Sequence, residues 1–369
     1  MSEIIRFQFI SPVIIGGSNS RTLDQPPIVR APQIRGQLRF WMRALAGGTY
    51  DWRDKNKRPE YLLQIHQLES ELFGDNETGQ KLILYSPDPK TLKTEMKKLL
   101  PHRNKNYIER HINRYDIKKQ LNSRKYNRDI EKLAKDLQSE TEMILPDSNE
   151  ITLRFSIRRI KPEYIERLKA VFWTWLHLGA IGRRSRRGFG SLQWLPKSGD
   201  FLDGFVDFQP EKDLTSSESL TAYLIRGMEK VKRVWGAPHL RSVPRQTYPF
   251  FCLQTIDQIF IGTIFQDDEG NPLETIEDDV GGIIHKMHGI SRNGEEDEWE
   301  LGHRRLSGKK RQASPMMWRI YRVSSEFVPL MVWSPLKKVQ IDPNSKVYRY
   351  LNGTLGFSSP LMPSGTPVG

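Results

Sequence analysis

One cysteine, Cys252, stands in 369 residues. That scarcity excludes internal disulfides and any Cys-rich zinc site, and it suits a reducing cytoplasm. Long hydrophobic runs are also missing. The longest, Val171 to Ile181, falls short of the roughly 20 residues of a membrane-spanning helix and is interrupted by His177. Met1 to Arg6 shows no charged region leading into a long apolar stretch, so no secretory signal is expected. No short-period repeat is present, which excludes a solenoid. Acidic residues are in deficit, with 44 Asp+Glu against 57 Lys+Arg and a net charge of +13. None lies between Asp24 and Asp51. The balance favours a polyanionic partner, nucleic acid or an acidic membrane surface. A membrane-surface role asks for a basic amphipathic helix with exposed large apolar residues. The basic residues here crowd instead into loops and a polar insertion, which favours nucleic acid.

With 37% hydrophobic residues, including sixteen Phe, twelve Tyr and nine Trp, the chain can bury real cores and still spare rings for stacking. Its length suggests two domains or one large one. Glu3 to Ile10 alternates like a strand, with Ile5, Phe7 and Phe9 on one face. After the Gly16-Gly17 turn and a loop, Pro32 opens a helix over Gln33–Ala46 that stops at Gly47-Gly48. Leu38, Trp41, Met42 and Leu45 turn to the core. A helix over Tyr61–Phe73 and a strand over Lys81–Ser86 follow.

Residues 88–148 change character. Lys and Arg far outnumber Asp and Glu, tyrosines are interleaved and aliphatic residues are few, so a partly helical, partly mobile basic insertion is expected. It is either an electrostatic arm or a solubilising insertion. A strand over Ile151–Ile160 and a helix over Glu163–Leu178 come next, then a short strand over Gly190–Trp194. Setting insertions aside, the second helix among them, the order is β-α-β-β-α-β, the split βαβ pattern shared with RNA-recognition modules.

Pro196 to Ser219 is polar enough to read as a linker. Beyond it the sequence suggests helices near Ser219–Trp235 and Glu274–Met287. Strands are expected around Tyr248–Thr255, Ile259–Phe265, Met316–Val323 and Phe327–Trp333, with a loose tail. The fold class is therefore α+β, tandem ferredoxin-like (RRM-like, βαββαβ) domains with a basic partly helical insertion. Residues 1–195 form the first domain and 196–369 the second.

The functional signal concentrates in three basic elements. Gly179-Ala-Ile-Gly-Arg-Arg-Ser-Arg-Arg-Gly-Phe-Gly-Ser-Leu192 wraps four arginines, Arg183, Arg184, Arg186 and Arg187, in glycines that include Gly182 and Gly188. Glycines allow close approach of backbone to ligand and arginines match phosphates with forked donors. The segment lacks the Lys-Ser/Thr ending of a P-loop and the spacing of the dinucleotide fingerprint, so a flexible track for a polyanionic backbone is one reading. A basic turn whose glycines permit tight packing is the other. On the first helix Arg35, Arg39 and Arg43 recur at i, i+4 and i+8, and with no acidic residue nearby in sequence the stripe leans toward anion binding. Gly308-Lys309-Lys310-Arg311 is a third basic loop.

Two of these elements carry a resemblance. Ala31-Pro-Gln-Ile-Arg-Gly-Gln-Leu-Arg-Phe-Trp-Met-Arg-Ala-Leu-Ala-Gly-Gly48 resembles the N-terminal signature of the RAMP superfamily of CRISPR proteins, and more narrowly of the first-subunit family of the type III-B Cmr effector. The glycine–arginine segment is similar to that family's glycine-rich loop, Arg311-Gln-Ala-Ser-Pro-Met316 to its C-terminal element, and Ser70-Glu-Leu-Phe-Gly74 to its Leu-Phe-Gly turn. The resemblance implies tandem ferredoxin-like domains. It also implies an RNA-binding subunit of a type III CRISPR ribonucleoprotein that contacts the crRNA 3′ region and complementary target RNA beside other Cmr-type subunits in antiviral defence. The insertion matches no motif of the family.

Catalytic chemistry is not expected, and neither is a cofactor. Some RAMP relatives are endoribonucleases with an acid–base histidine, which makes RNA processing or cleavage the alternative, with His177 or Asp24 active. His177 sits in an apolar helix and reads as a packed residue. His285 and His288 beside His303 and the acidic run Glu295 to Glu300 lack a fixed third ligand, so no metal site is assigned. Arg35, Arg39, Arg43, Gly182, Arg183, Arg184, Arg186, Arg187, Gly188, Lys309, Lys310 and Arg311 are the expected RNA contacts. If about 4–7 of them meet phosphates, RNA affinity falls with salt at a log–log slope of about −3 to −5, using ~−0.7 per contact for single strands. A salt titration by gel shift measures it, and a flat dependence contradicts the electrostatic reading.

Overall fold

The computed structural model describes residues 2–15, 23, 27–88, 92–98, 140–146, 150–186, 188–236, 249–253, 258–262 and 316–334. In chain order the first half comprises β1 (Ser2–Phe9), α1 (Ala31–Gly47), α2 (Arg58–Phe73), β2 (Gly74–Asp75), β3 (Gly79–Gln80), β4 (Leu82–Leu84), β5 (Thr94–Lys98), β6 (Glu140–Ile144), β7 (Ile151–Ile157), α3 (Pro162–Leu178) and β8 (Leu192–Trp194). The second half contributes α4 (Pro210–Asp213), α5 (Ser217–Val234), β9 (Ile259–Ile261), β10 (Met316–Val323) and β11 (Glu326–Trp333). The class is α+β with antiparallel sheets.

A four-stranded sheet in the order β4-β7-β1-β8 carries the first half. β1 pairs antiparallel with β7 (Ile5 opposite Leu153) and with β8 (Phe9 opposite Leu192). Period-two alternation sends Ile5, Phe7, Phe9, Ile151, Leu153 and Phe155 to the buried face, where α1 and α3 cover them. Phe7 meets Trp175 of α3 edge to face at 5.7 Å. α3 is buried on all sides from Ala170 to Leu178 because its far side meets α5 of the second half. Gly227 on α5 makes that contact close, since a Cβ there would lie 1.8 Å from the Trp173 ring. β10, β11 and β9 form the second sheet, in the order β10-β11-β9.

Two expectations change. Residues 196–209 are not an open linker: Phe201, Leu202, Phe205, Val206 and Phe208 are buried in the shared core, and Arg6 of β1 ion-pairs with Asp200. Its Asp, Ser and Gly content masked five apolar residues with enough area to hold the segment down. The basic insertion is also rooted in structure. β5 and β6 pair antiparallel across it, Val13 bridges to Ile144, and Glu142 accepts from the Leu23 N–H at 2.9 Å. Its middle, residues 99–139, lies outside the described residues, as do the Gly16-Gly17 turn, the helix expected near Glu274–Met287 and the tail. Residues 249–253 form no strand.

Where the halves meet, Lys232 of α5 buries its ammonium and donates to the Leu253 carbonyl at 2.8 Å. Burial, only partly offset by nearby Cys252, pulls its pKa from about 10.5 down to about 7. The unfolded chain binds this proton over a pH range in which the folded chain does not. The contribution to stability therefore declines as pH falls from ~10 to about 7, by up to ~1.4 kcal/mol per unit, and is level below that. Lys232→Met should flatten this slope relative to the parent in denaturant melts at pH 7 to 9.5. An identical slope would mean the ammonium stays charged in the fold.

Candidate nucleic-acid interface

The glycine–arginine segment is clamped rather than loose. Leaving α3, Ile181 donates to Gly190 O at 3.0 Å and Arg183 to Ile14 O at 2.6 Å. Gly190 donates to Pro12 O, and the Ser11 hydroxyl donates to Gly188 O at 2.6 Å and accepts from the Ser191 N–H at 2.9 Å. From the second half, β10 continues the stitching: Gly188 N–H reaches Trp318 O at 3.1 Å, Trp318 N–H reaches Arg186 O at 3.0 Å, and Ile320 N–H donates to the Ser191 hydroxyl. Gly190 has φ +66, and a Cβ there would lie 1.9 Å from Ile181 O; at Gly182, with φ +90, a Cβ would lie 2.6 Å from Ile14 O. Those positions accept only glycine. Between them Arg184 holds φ 57, an uncommon conformation for a residue with a side chain. Arg183 is exposed and Arg184 half-buried at the tip. Arg186 folds back, its guanidinium 5.3 Å from the centroid of the Phe40 ring on α1, and burial lowers its pKa.

The α1 stripe points elsewhere. Arg43 forks onto Glu69 of α2 with bonds of 2.6 and 2.7 Å, and Arg39 lies 3.4 Å from the same carboxylate and over the Phe73 ring. Glu69 raises the Arg43 pKa, chiefly through that hydrogen bond. Arg35 donates to Leu82 O at 2.8 Å and to Gln80, and burial together with the charge of Arg39 lowers its pKa. The missing acid of the sequence is thus supplied by the next helix, and one carboxylate faces two arginines.

His177 is enclosed at the seam between the halves, 1% exposed. The Tyr321 hydroxyl donates to the His177 carbonyl at 2.7 Å, so at Nδ1, 3.0 Å away, it accepts, and Nδ1 carries the proton. Trp173 N–H donates to the Tyr223 hydroxyl, which donates to His177 Nε2 at 2.8 Å. Burial, reinforced by the charge of Arg319, drives the His177 pKa well below its ordinary value. This neutral imidazole is a structural link and has no path to a ribose hydroxyl. Asp24, His285, His288 and His303 lie outside the described residues, among which no group of three His, Cys, Asp or Glu could hold a metal ion. No helix among the described residues is long and apolar enough to cross a membrane.

The family model of the RAMP superfamily matches residues 6–193, just over half of the chain and the stretch that builds the first sheet and the clamped loop. The chain belongs to the RAMP superfamily. A curated relative within reach of this RAMP chain is the CRISPR system Cmr subunit Cmr1-1 of Pyrococcus furiosus, 27% identical over 180 residues, which is 48% of this chain and 44% of the relative. The match thus spans less than half the length of that relative. Among solved structures, apo Cmr1 from P. furiosus has 16% identity and a TM-score of 0.52, with 97% of this chain and 98% of that one covered. A chain of the type III-B Cmr-beta bound to cognate target RNA has 13% identity and a TM-score of 0.53, with 92% and 96% covered. These structural likenesses describe a shared fold.

In this RAMP chain, the expected residues fall into separate groups. Gly182, Arg183, Arg184, Arg186 and Gly188 share one clamped turn, and Arg186 joins it to α1 through Phe40. Arg39 and Arg43 face Glu69 of α2 from that helix, and Arg35 faces Gln80 and Leu82. Arg187, Lys309, Lys310 and Arg311 lie outside the described residues. Sequence reasoning missed Ser11, Ser191 and Phe40, which position the loop, because nothing local ties residue 11 to residue 188. If the stripe meets RNA, Glu69→Gln should tighten binding a few-fold and steepen its salt dependence while costing about 1–2 kcal/mol of stability. Unchanged affinity would take the stripe out of the RNA site.

Proposed function

We propose that this chain is a non-catalytic, RNA-binding subunit of a type III-B, Cmr-type CRISPR effector, working in the cytoplasm beside other Cmr-type subunits and contacting the crRNA 3′ region and complementary target RNA. The observation that carries the reading is the clamped loop. Backbone bonds from both halves hold a turn whose sequence is basic, with Arg183 exposed at its tip. Preorganised cations of this kind meet a polyanion without a further ordering cost. Family membership and the likeness in fold to Cmr1 support the assignment.

The strand order β4-β7-β1-β8, with α1 and α3 on the buried face, supports a ferredoxin-like first domain over residues 1–195. The three-stranded sheet with α5 is read as its degenerate companion over 196–369. Sequence information rests with guide pairing, so the chain itself contributes charge and backbone contacts. A binding role is favoured over a nuclease because the acid–base candidate His177 is sealed in the core.

Arg183→Ala with Arg184→Ala should weaken binding of an unrelated single-stranded RNA by about 1–3 kcal/mol with circular dichroism unchanged. The parent chain alone should leave labelled RNA intact. Normal binding by the double variant would remove the loop from the site, and specific cleavage by the purified parent would restore the nuclease alternative.

A further inference from the structure

β1 and β7 send Ile5, Phe7, Leu153 and Phe155 toward the helices, so alternation leaves Ile4, Arg6, Gln8, Thr152, Arg154 and Ser156 on the other face of the first sheet. At the β4 edge of that face the register sets Tyr85 beside Arg154 and Ile4, and Ile83 beside Ser156 and Ser2. Tyr85 is 47% exposed, and its hydroxyl lies 3.3 Å from the Ser156 hydroxyl, which holds the ring against the β4–β7 pair. Ile4 and Ile83 are half-buried beside it.

Cations border this apolar floor. Arg158-Arg159-Ile160-Lys161 joins β7 to α3, and Arg154, Arg158, Arg159 and Lys161 are all exposed. The side chains of the three arginines have no hydrogen bond, ion pair or ring contact among the described residues. Arg159 holds φ 56, where glycine or asparagine is at ease and an arginine costs free energy, so the turn itself does not call for this side chain. The acids around the patch are committed. Glu71, which feels the charge of Lys161, is bonded to Lys81 at 2.9 Å, and Glu150 and Asp200 at the far end of the face pair with Arg6. Glu163 opens α3, where a helix N-terminus favours an acid.

We propose that this face, floored by Ile4, Ile83 and Tyr85 and rimmed by Arg154, Arg158, Arg159 and Lys161, docks an acidic segment of a protein partner. Carboxylates of the partner meet the arginines, and an apolar side chain sits on Tyr85. An apolar centre with tyrosine and arginine around it is the anatomy of a protein interface. A base-stacking sheet needs several rings on its face, and the outward positions of the central strands β1 and β7 carry none. Like charge disfavours a second copy of this chain, and residues 99–139, where Lys and Arg outnumber Asp and Glu, are equally unsuited as occupant. The inference goes beyond the RNA-binding reading and does not depend on it.

The test measures fluorescence anisotropy of the full-length chain with a labelled 12-residue peptide of glutamates with leucine at every third position. Its Glu→Gln counterpart and a 20-nucleotide RNA of unrelated sequence are the controls. The parent should bind the acidic peptide about ten-fold or more tighter than the glutamine peptide. Tyr85→Ala and Arg154→Glu/Arg158→Glu should each weaken it about five- to ten-fold while RNA affinity stays within about two-fold. Arg159→Asn should weaken it about two-fold and melt about 1–2 °C above the parent, because asparagine accepts the turn. Arg183→Ala/Arg184→Ala should leave the peptide affinity unchanged, which separates this face from the loop. Parent-like peptide binding by both Tyr85→Ala and the Arg154/Arg158 variant overturns the proposal, as does a parent that does not prefer the acidic peptide. A larger loss of RNA than of peptide in those variants assigns the face to RNA and overturns it too. A parent dimer in size-exclusion chromatography that Tyr85→Ala dissolves would give the face to a second copy. If charge reversal lowers the melting temperature, Tyr85→Ala and Arg159→Asn decide the outcome.

Discussion

Between Arg186 and Ser191 the backbone exchanges hydrogen bonds with Pro12 and Ser11 on one side and with Trp318 and Ile320 on the other. These bonds run within a buried seam, where an unpaired N–H or C=O would carry its full desolvation cost. The stitch therefore forces the two halves, the edge of β1 and the end of α3 into one register. The core shows the same union: a single cluster runs from Ile5 through Trp173 and Tyr223 to Val332. Arg183 is exposed on this anchored backbone, while Arg186 folds back onto Phe40 of α1.

Buried polar groups at the seam repeat the logic. His177 bonds at both ring nitrogens to tyrosines from α5 and β10, and Arg319 donates to Gly179 O while its guanidinium stacks 4.5 Å from the Tyr321 ring centroid. Such groups add little net stability over apolar substitutes but penalise every arrangement that leaves them unpaired. They specify how α3 meets the second half. The same reasoning makes this histidine structural: both of its nitrogens are already committed.

Elements with strong local signals were legible in the chain. β1, α1, α2, β7, α3, α5 and the β10–β11 hairpin follow from alternation, helical spacing, Pro32, Pro162 and Gly48, because those signals act within a few residues. Of the loop's two rival readings, phosphate track or tight turn, the glycines answer to the second, since Gly182 and Gly190 serve packing. Local polarity misled at 196–209, where five apolar residues among Asp and Gly find a distant core. It misled again on α1, where neutralisation of the arginines was judged from sequence neighbours alone.

The sequence by itself determined the charge sign, the family signature, the strand and two helices that open the chain and the identity of the basic motifs, all of which depend on residue type and short spacing. Only the tertiary structure decided which arginines keep their charge available. Glu69 comes to Arg43 and Arg39 from α2, twenty-six residues beyond Arg43, and Phe40 receives Arg186 from a loop almost one hundred and fifty residues away. Ion pairs and ring contacts fall off over a few ångströms of space, and separation along the chain does not report that distance.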